Sequence, residues 1–498
     1  MTRFFKNIIL KKYNQSRVNP IKISTKICLL ILLISVLVSS CKSTKIKASK
    51  EKSPNIILIL TDDQGWNGTS VQMDDDEIRS KSDYHETPNI EMLANRGMRF
   101  SSAYASAPVC SPSRYSIQLG QTPARLKMIR VGMNTNHINH QTPLTIPKLL
   151  KKIDSTYKTA HFGKWGIAVD PSDFGYDESD GVTGNKDGGF DYRSNKKQWR
   201  NNISEDPKKI FSTTKKAIHF LEKQAKSGTP FFLQVSHYAV HSDIMTRETT
   251  LQKYKDKAKG KYQKHEGFAA MTEDLDSGVG LLLERVEALG IKENTYIIYT
   301  SDNGAVPVMP PRSSYKQGSN FPLSRGKWDA MEGGIRVPFI IAGPAIKEKT
   351  ESKTPISFSD LLPTIIDLAG QAMPYTEELD GGSFKKILED EGKGKVVRST
   401  KGLVFHVPYE NSIALKRAHS VIILGDFKLI KFYDTQEVML FNITKDIGEN
   451  VNLVLSLPKK VTELELLLDN YLAKVKAPKW KQGINWKNKP IEKFNSYH

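Results

Sequence analysis

The chain has 498 residues, 39% of them hydrophobic, enough apolar material for a large core, and this excludes disorder over the whole length. Its formal net charge of +19 suits an acidic partner, whether nucleic acid, anionic lipid or an anionic polysaccharide, or else a solvated lysine-rich surface.

Residues 1 to 26 hold seven basic side chains and no acid, and "ICLLILLISVLVSSC" follows. That apolar run is short for a membrane span and sits where the core of a signal peptide does. "VSSC" at 38–41 resembles a bacterial lipobox, whose cysteine becomes a lipid-modified N-terminus; the alternative is an ordinary signal peptide cleaved at small residues. The expectation is a lipoprotein signal peptide over 1–40, a lipid on Cys41 and a polar tether over 41–54. Such a chain is exported and anchored to a bacterial membrane through its lipid only, on the periplasmic side or at the cell surface. Nucleic acid is then not its partner, and the +12 that remains beyond Cys41 points to a polysaccharide. With Cys28 lost and Cys41 lipidated, Cys110 in "APVCSPSR" (107–114) has no intramolecular partner left for a disulfide.

Short apolar runs predict buried strands at 55–60 (NIILIL), 231–236 (FFLQVS), 295–300 (TYIIYT) and 337–343 (VPFIIAG). Helices are predicted between them. One runs over 210–225, with Ile210, Thr214, Ala217, Ile218, Leu221 and Ala225 on one face, and another runs through "FAAMTEDLDSGVGLLLERVEALG". Alternating strands and helices imply an α/β catalytic domain over 55–400 with a mainly parallel sheet sandwiched by helices. From about 401 the texture changes. "SVIILGDFKLIKFYD" and "EVMLFNIT" read as antiparallel strands, and 458–474 reads as a helix, giving a smaller α+β domain over 401–498.

Functional groups of parallel sheets gather beyond the carboxyl ends of strands. Three predicted strands end in such groups: Asp62 and Asp63 after the first, His237 and His241 after "FFLQVS", Asp302 and Asn303 after "TYIIYTS". The two Asp-containing ends offer only oxygen donors, which select a hard cation, Ca²⁺ before Mg²⁺, over zinc. Arg114, Lys164 and Lys327 are candidate clamps for a multiply charged oxyanion, or ordinary surface cations. His241 is a candidate proton donor, or a structural histidine.

"CSPSR" at 110–114 resembles the C-x-P-S-R signature of the type I sulfatases, members of the alkaline-phosphatase-like superfamily. "PNIILILTDDQGW", "GKWG", "FFLQVSHYAVHSD", "IIYTSDNGA", "SNFPLSRGKW" and "EGGIRVPFIIAGP" resemble further blocks of the family in the family's order, and the likeness runs from about 54 to 475. The resemblance implies that a formylglycine-generating enzyme oxidises Cys110 to the aldehyde formylglycine. One hydroxyl of its hydrate would attack the sulfur of a sulfate ester, and the other would expel sulfate by re-forming the aldehyde. It further implies that Asp62, Asp63, Asp302 and Asn303 hold the cation together with modified Cys110. Arg114 would steady the hydrate, Lys164 and Lys327 would hold sulfate oxygens, and His241 would assist the leaving group.

The family pattern is broken once at the site: "GKWGIA" has Gly166 where the family has a histidine thought to help release sulfate. His161, His237, His137 and His140 are candidates to replace it. Leu119, Gly120 and Gln121 likewise stand where the family has T-G-R. The loop segments 171–206 and 309–325 offer Arg193, Trp199, Arg200, Arg312, Tyr315 and Lys316 for a sugar subsite, or as ordinary exposed residues. The leading expectation is a sulfatase acting on a sulfated polysaccharide, of algal type or a glycosaminoglycan, or on its oligosaccharides. The alternatives are a phosphoester or phosphonate hydrolase of the same superfamily, and a glycan-binding lipoprotein that lost turnover with the histidine.

Overall fold

The computed structural model describes residues 52–190, 199–307, 320–373, 377–410 and 417–481. The proposed signal peptide, Cys41 and most of the tether lie outside them, as do Arg193, Arg312, Tyr315 and Lys316. No helix among the described residues is long and apolar enough to cross a membrane.

Eight strands form the main sheet: β1 (Asn55–Thr61), β2 (Gly97–Phe100), β3 (Lys158–Gly163), β4 (Glu178–Ser179), β5 (Phe231–Ser236), β6 (Thr295–Ser301), β7 (Phe339–Ala342) and β8 (Thr350–Ser352). Their order is β8-β2-β7-β6-β1-β5-β3-β4. All neighbours are parallel except at β7, which runs against β6 and β2. Every residue of β1 is buried, because helices cover both faces of the sheet and the alternating pleat must be apolar on each side. Ile56, Leu58 and Leu60 join one core with Tyr115, Ile117, Leu361 and Ile365. Ile57 and Ile59 join the other with Ala217, Leu221, Leu275 and Leu282.

Helix α1 (Cys110–Leu119) serves the first core; α2 (Ile210–Ser227) and α3 (Glu266–Ala288) serve the second. The buried face of α2 includes Thr213, Phe220 and Gln224, with Ile218 only half-buried. Its packed stripe is thus rotated slightly from the one that apolarity alone predicts.

A second, antiparallel sheet follows: β9 (Leu403–Val407), β10 (His419–Leu424), β11 (Phe427–Phe432) and β12 (Val438–Asn442), in that order. One face packs Phe405, Val421, Ile430 and Phe432 against Tyr104, Met331 and Ile335. The other packs Val404, Ile422, Leu429 and Leu440 under Leu464, Leu468 and Tyr471 of helix α4 (Pro458–Lys474). At the first face Lys428 sits fully buried between Glu332 (2.9 Å) and Glu449 (2.8 Å).

Candidate active site

Parallel pairing sets Thr61 of β1 beside Ser301 of β6, so Asp62 and Asp302 leave adjacent strands at the same level. β5 lies on the other side of β1 and delivers His241; β3 lies beyond β5 and delivers Lys164. Four neighbouring strands thus empty onto one spot, as open parallel sheets arrange their sites. Gly163 makes the last step possible. Its φ is +93°, and a Cβ there would stand 2.0 Å from the Ser236 carbonyl oxygen, so only glycine lets the end of β3 press against β5.

Cys110 opens α1, and Arg114 follows one turn later on the same helix face. Ligand atoms of Asp62, Asp63, Cys110 and Asp302 all lie within 4.8 Å of one another, and all four residues are buried. The Cys110 Sγ is 3.6 Å from Asp62 Oδ1. Three cations answer the three carboxylates. Lys164 Nζ is 2.5 Å from Asp62 Oδ2, and Lys327 Nζ is 2.6 Å from Asp63 Oδ1. Arg114 Nε donates to Asp302 Oδ2 at 2.9 Å, with Nη2 2.8 Å from the same oxygen but without hydrogen-bond geometry. Arg114 Nη1 also donates to the Lys164 carbonyl. His241 places Nε2 3.7 Å from Asp63 Oδ2 and turns Nδ1 to the Ser242 carbonyl.

The electrostatics follow from this crowding. Burial works to raise the Asp62 carboxyl, but Lys164 above all, then His241, Arg114 and Lys327, hold it well below the usual carboxylate range. Burial and the neighbouring Asp62 push Asp302 up to about 6. Burial, with Asp302, pushes the Cys110 thiol up to about 12. Burial likewise drives His241 down to about 4, assisted by Lys327.

The donor set fits a hard divalent cation. It supplies three carboxylates, and the Asn303 Oδ1 is buried with no hydrogen-bond partner while its Nδ2 donates to Asp63 (2.7 Å). A buried amide oxygen facing no donor is suited to ligate a metal. Sequence reading passed over Ser301, whose Oγ accepts the Gln64 N–H (2.8 Å) and donates to the Asn303 carbonyl (3.0 Å), tying the two strand ends. Its only signal is its place one residue before Asp302.

None of the four candidate replacement histidines joins the acidic cluster. His161 is fully buried, with Nε2 3.0 Å from Ser236 Oγ and its ring 4.7 Å from Trp165. His237 is buried as well. His137 bonds the Leu126 carbonyl and His140 the Tyr115 hydroxyl. Trp199 is half-buried against the second core, and Arg200 is exposed.

Residues 54–371 match the family model described as Sulfatase. The chain belongs to the sulfatase family. It is thus an enzyme that hydrolyses sulfuric esters. Residues 327–487 also match the model for the C-terminal region of N-sulphoglucosamine sulphohydrolase. A sulfatase of Formosa agariphila is 28% identical, spanning 90% of this chain and 92% of its own. The ulvan-active sulfatase of the same organism is 29% identical over 78% and 75%. The N-acetylgalactosamine-6-sulfatase of Mus musculus is 30% identical over 67% and 66%. Among solved structures, Ps i-CgsB in complex with k-i-k-neocarrahexaose superimposes with a TM-score of 0.69 at 25% identity, covering 87% of this chain and 97% of that one.

Proposed function

We propose that this sulfatase removes sulfate from a sulfated polysaccharide of algal type, or from its oligosaccharides, and that it works outside the cytoplasm on a lipid anchor at Cys41. The convergence of Cys110 with Asp62, Asp63 and Asp302 in one buried cluster carries the catalytic reading. The substrate class is supported by the ulvan-active relative, by the neocarrahexaose-bound structural neighbour and by the basic surplus of the chain. Asp62, Asp63, Asp302 and Asn303 would hold the cation, Ca²⁺ by their all-oxygen chemistry and multiple carboxylates. When bound, the ion supplies Lewis-acid stabilisation of charge on the sulfo group, and formylglycine made from Cys110 supplies a hydrated-aldehyde nucleophile.

The chain's own side chains do the rest. Lys164 and Lys327 each bond a different carboxylate of the Asp62–Asp63 pair, so an entering sulfo group meets two ammoniums already fixed in place. Preorganised cations of this kind stabilise a transition state without reorganising. Arg114 cannot swing away, because Asp302 and the Lys164 carbonyl both hold it. His241 is neutral in the resting site. With Nδ1–H donated to the Ser242 carbonyl, its Nε2 carries a lone pair, so it takes up a proton before it can give one to the leaving oxygen. Asp63 and an arriving anion both favour that uptake.

A panel of defined sulfated oligosaccharides, run beside matched phosphate esters, tests the proposal. Sulfate release from carbohydrate, with phosphate esters cleaved at least about a hundredfold more slowly, is the expected result. Preferential phosphate release, or binding of every glycan with turnover of none, overturns it.

A further inference from the structure

Lys208 stands in "DPKKIF", immediately before α2, and in sequence it reads as one more surface lysine. It is 2% exposed. Withdrawing an ammonium from water is unfavourable unless acids or acceptors receive it, yet among the described residues no hydrogen bond or salt bridge engages this one.

The backbone is strained to put it there. Lys208 and Lys209 both have φ of +53°, the left-handed region in which an L side chain crowds its own carbonyl. Asp206 fixes the turn, its Oδ1 accepting from the N–H groups of Phe211 (2.8 Å) and Ser212 (3.2 Å). The start of α2 lies against the end of β3: Thr213 Cγ2 is 3.2 Å from where a Cβ on Gly163 would stand. That is one residue before Lys164. Asp243 pulls most strongly on Lys208, and the other charges that act on it belong to the site. Burial pushes its ammonium down to about 8, against the pull of Asp243, then Asp62, with Lys164 opposing and Asp63 adding.

Gly166 leaves this site one imidazole short, and none of the four other histidines belongs to the acidic cluster. We infer that Lys208 is a third anion-binding cation of the active site, contacting the sulfo group together with Lys164 and Lys327 in place of the absent imidazole. The inference rests on the reading of the site as a sulfo pocket. It accounts for both anomalies: the buried lysine makes no hydrogen bond or salt bridge because its ammonium is held for the substrate, and the strained turn persists because it aims the side chain.

Titration with inorganic sulfate, followed by calorimetry and thermal shift, tests this on the full-length protein and its Lys208→Met and Lys208→Arg variants, with KM measured in parallel. Lys208→Met is expected to bind sulfate at least tenfold more weakly and to show a raised KM, while its melting temperature stays level or rises. Lys208→Arg is expected to recover most of the affinity. Lys208→Gln replaces the Met variant if that one fails to fold. Sulfate affinity unchanged in the uncharged variant overturns the inference alone, whether or not the melting temperature falls. A wild-type protein that neither binds sulfate nor releases it from esters overturns the sulfo-pocket reading itself, and the inference with it.

Discussion

Lys164 and Lys327 are buried cations whose resting partners are the cluster's own carboxylates, so removing either changes two things at once. It deletes a clamp and leaves an uncompensated Asp62 or Asp63. Lys164→Ala and Lys327→Ala are each expected to lower kcat/KM by roughly a hundred- to a thousandfold, measured on a common sulfated oligosaccharide; losses below tenfold would contradict the assigned roles. His241→Ala separates proton donation from packing. Its effect is expected to be about a hundredfold on an alkyl sulfate and under about tenfold on a nitrophenyl sulfate, whose leaving oxygen needs no proton. Gly166 makes a sharper case. Its φ is +69°, and a Cβ there would come within 2.8 Å of Arg114 Cδ. Restoring the family's residue by Gly166→His is therefore expected to displace Arg114, lowering the melting temperature and failing to raise kcat. A faster enzyme would show that the arginine yields. The identities of Cys110, Asp62, Asp63, Asp302 and Asn303 as a constellation were legible in sequence because each follows a strand or opens a distinctive pentapeptide. Lys208 was not legible, since nothing in "DPKKIF" distinguishes a buried lysine from a solvated one.

At the scale of elements, β1, β5 and β6 announce themselves because each is buried on both faces, which demands unbroken apolar runs. Their adjacency does not announce itself: β1 pairs with a strand some 240 positions later, and no local pattern encodes that. Short edge elements such as Glu178–Ser179 are set by neighbours alone, and β9 carries an inward histidine, His406, that blurs its pattern. The second sheet is bolted to the segment carrying Lys327 through Lys428, whose two acid partners, Glu332 and Glu449, are as buried as it is. Lys428→Met takes the ion-pair partner from Glu449, while Glu332 keeps Arg336 at 2.7 Å, and is expected to destabilise the protein by about 3 kcal/mol, read from denaturant unfolding. Buried histidines set the acid limit of the fold. Burial holds His85, His406 and His419 down to about 4, below their unfolded value near 6.5. A depressed folded pKa stabilises fully above the unfolded pKa, and that stability drains away as pH falls from about 6.5 to 4, by up to roughly 3 kcal/mol per histidine. The melting temperature is expected to fall across that window, and a flat profile would contradict the burial assigned to these rings.

For the molecule as a whole, charge balance inside the site decides how it responds to metal removal. Three carboxylates already face three cations, so the cluster does not fly apart when the ion is stripped. A chelator is expected to abolish turnover while lowering the melting temperature only by a few degrees, and Ca²⁺ is expected to restore both. Unfolding on chelation would mean that the cation is structural. The architecture, a parallel sheet between helices with a smaller antiparallel sheet behind it, could be read from the alternation of runs along the chain. The segments 171–206 and 309–325, expected to offer a sugar subsite, could not be read in this way, because their residues obey no period.

In the proposed function turnover depends on conversion of Cys110, whose thiol burial and Asp302 push up to about 12, so that it stays protonated at neutral pH. Mass spectrometry of the Cys110 peptide, taken from protein produced alongside a formylglycine-generating enzyme, is the most direct measurement. The account predicts an aldehyde at position 110; an intact thiol from that same host contradicts it.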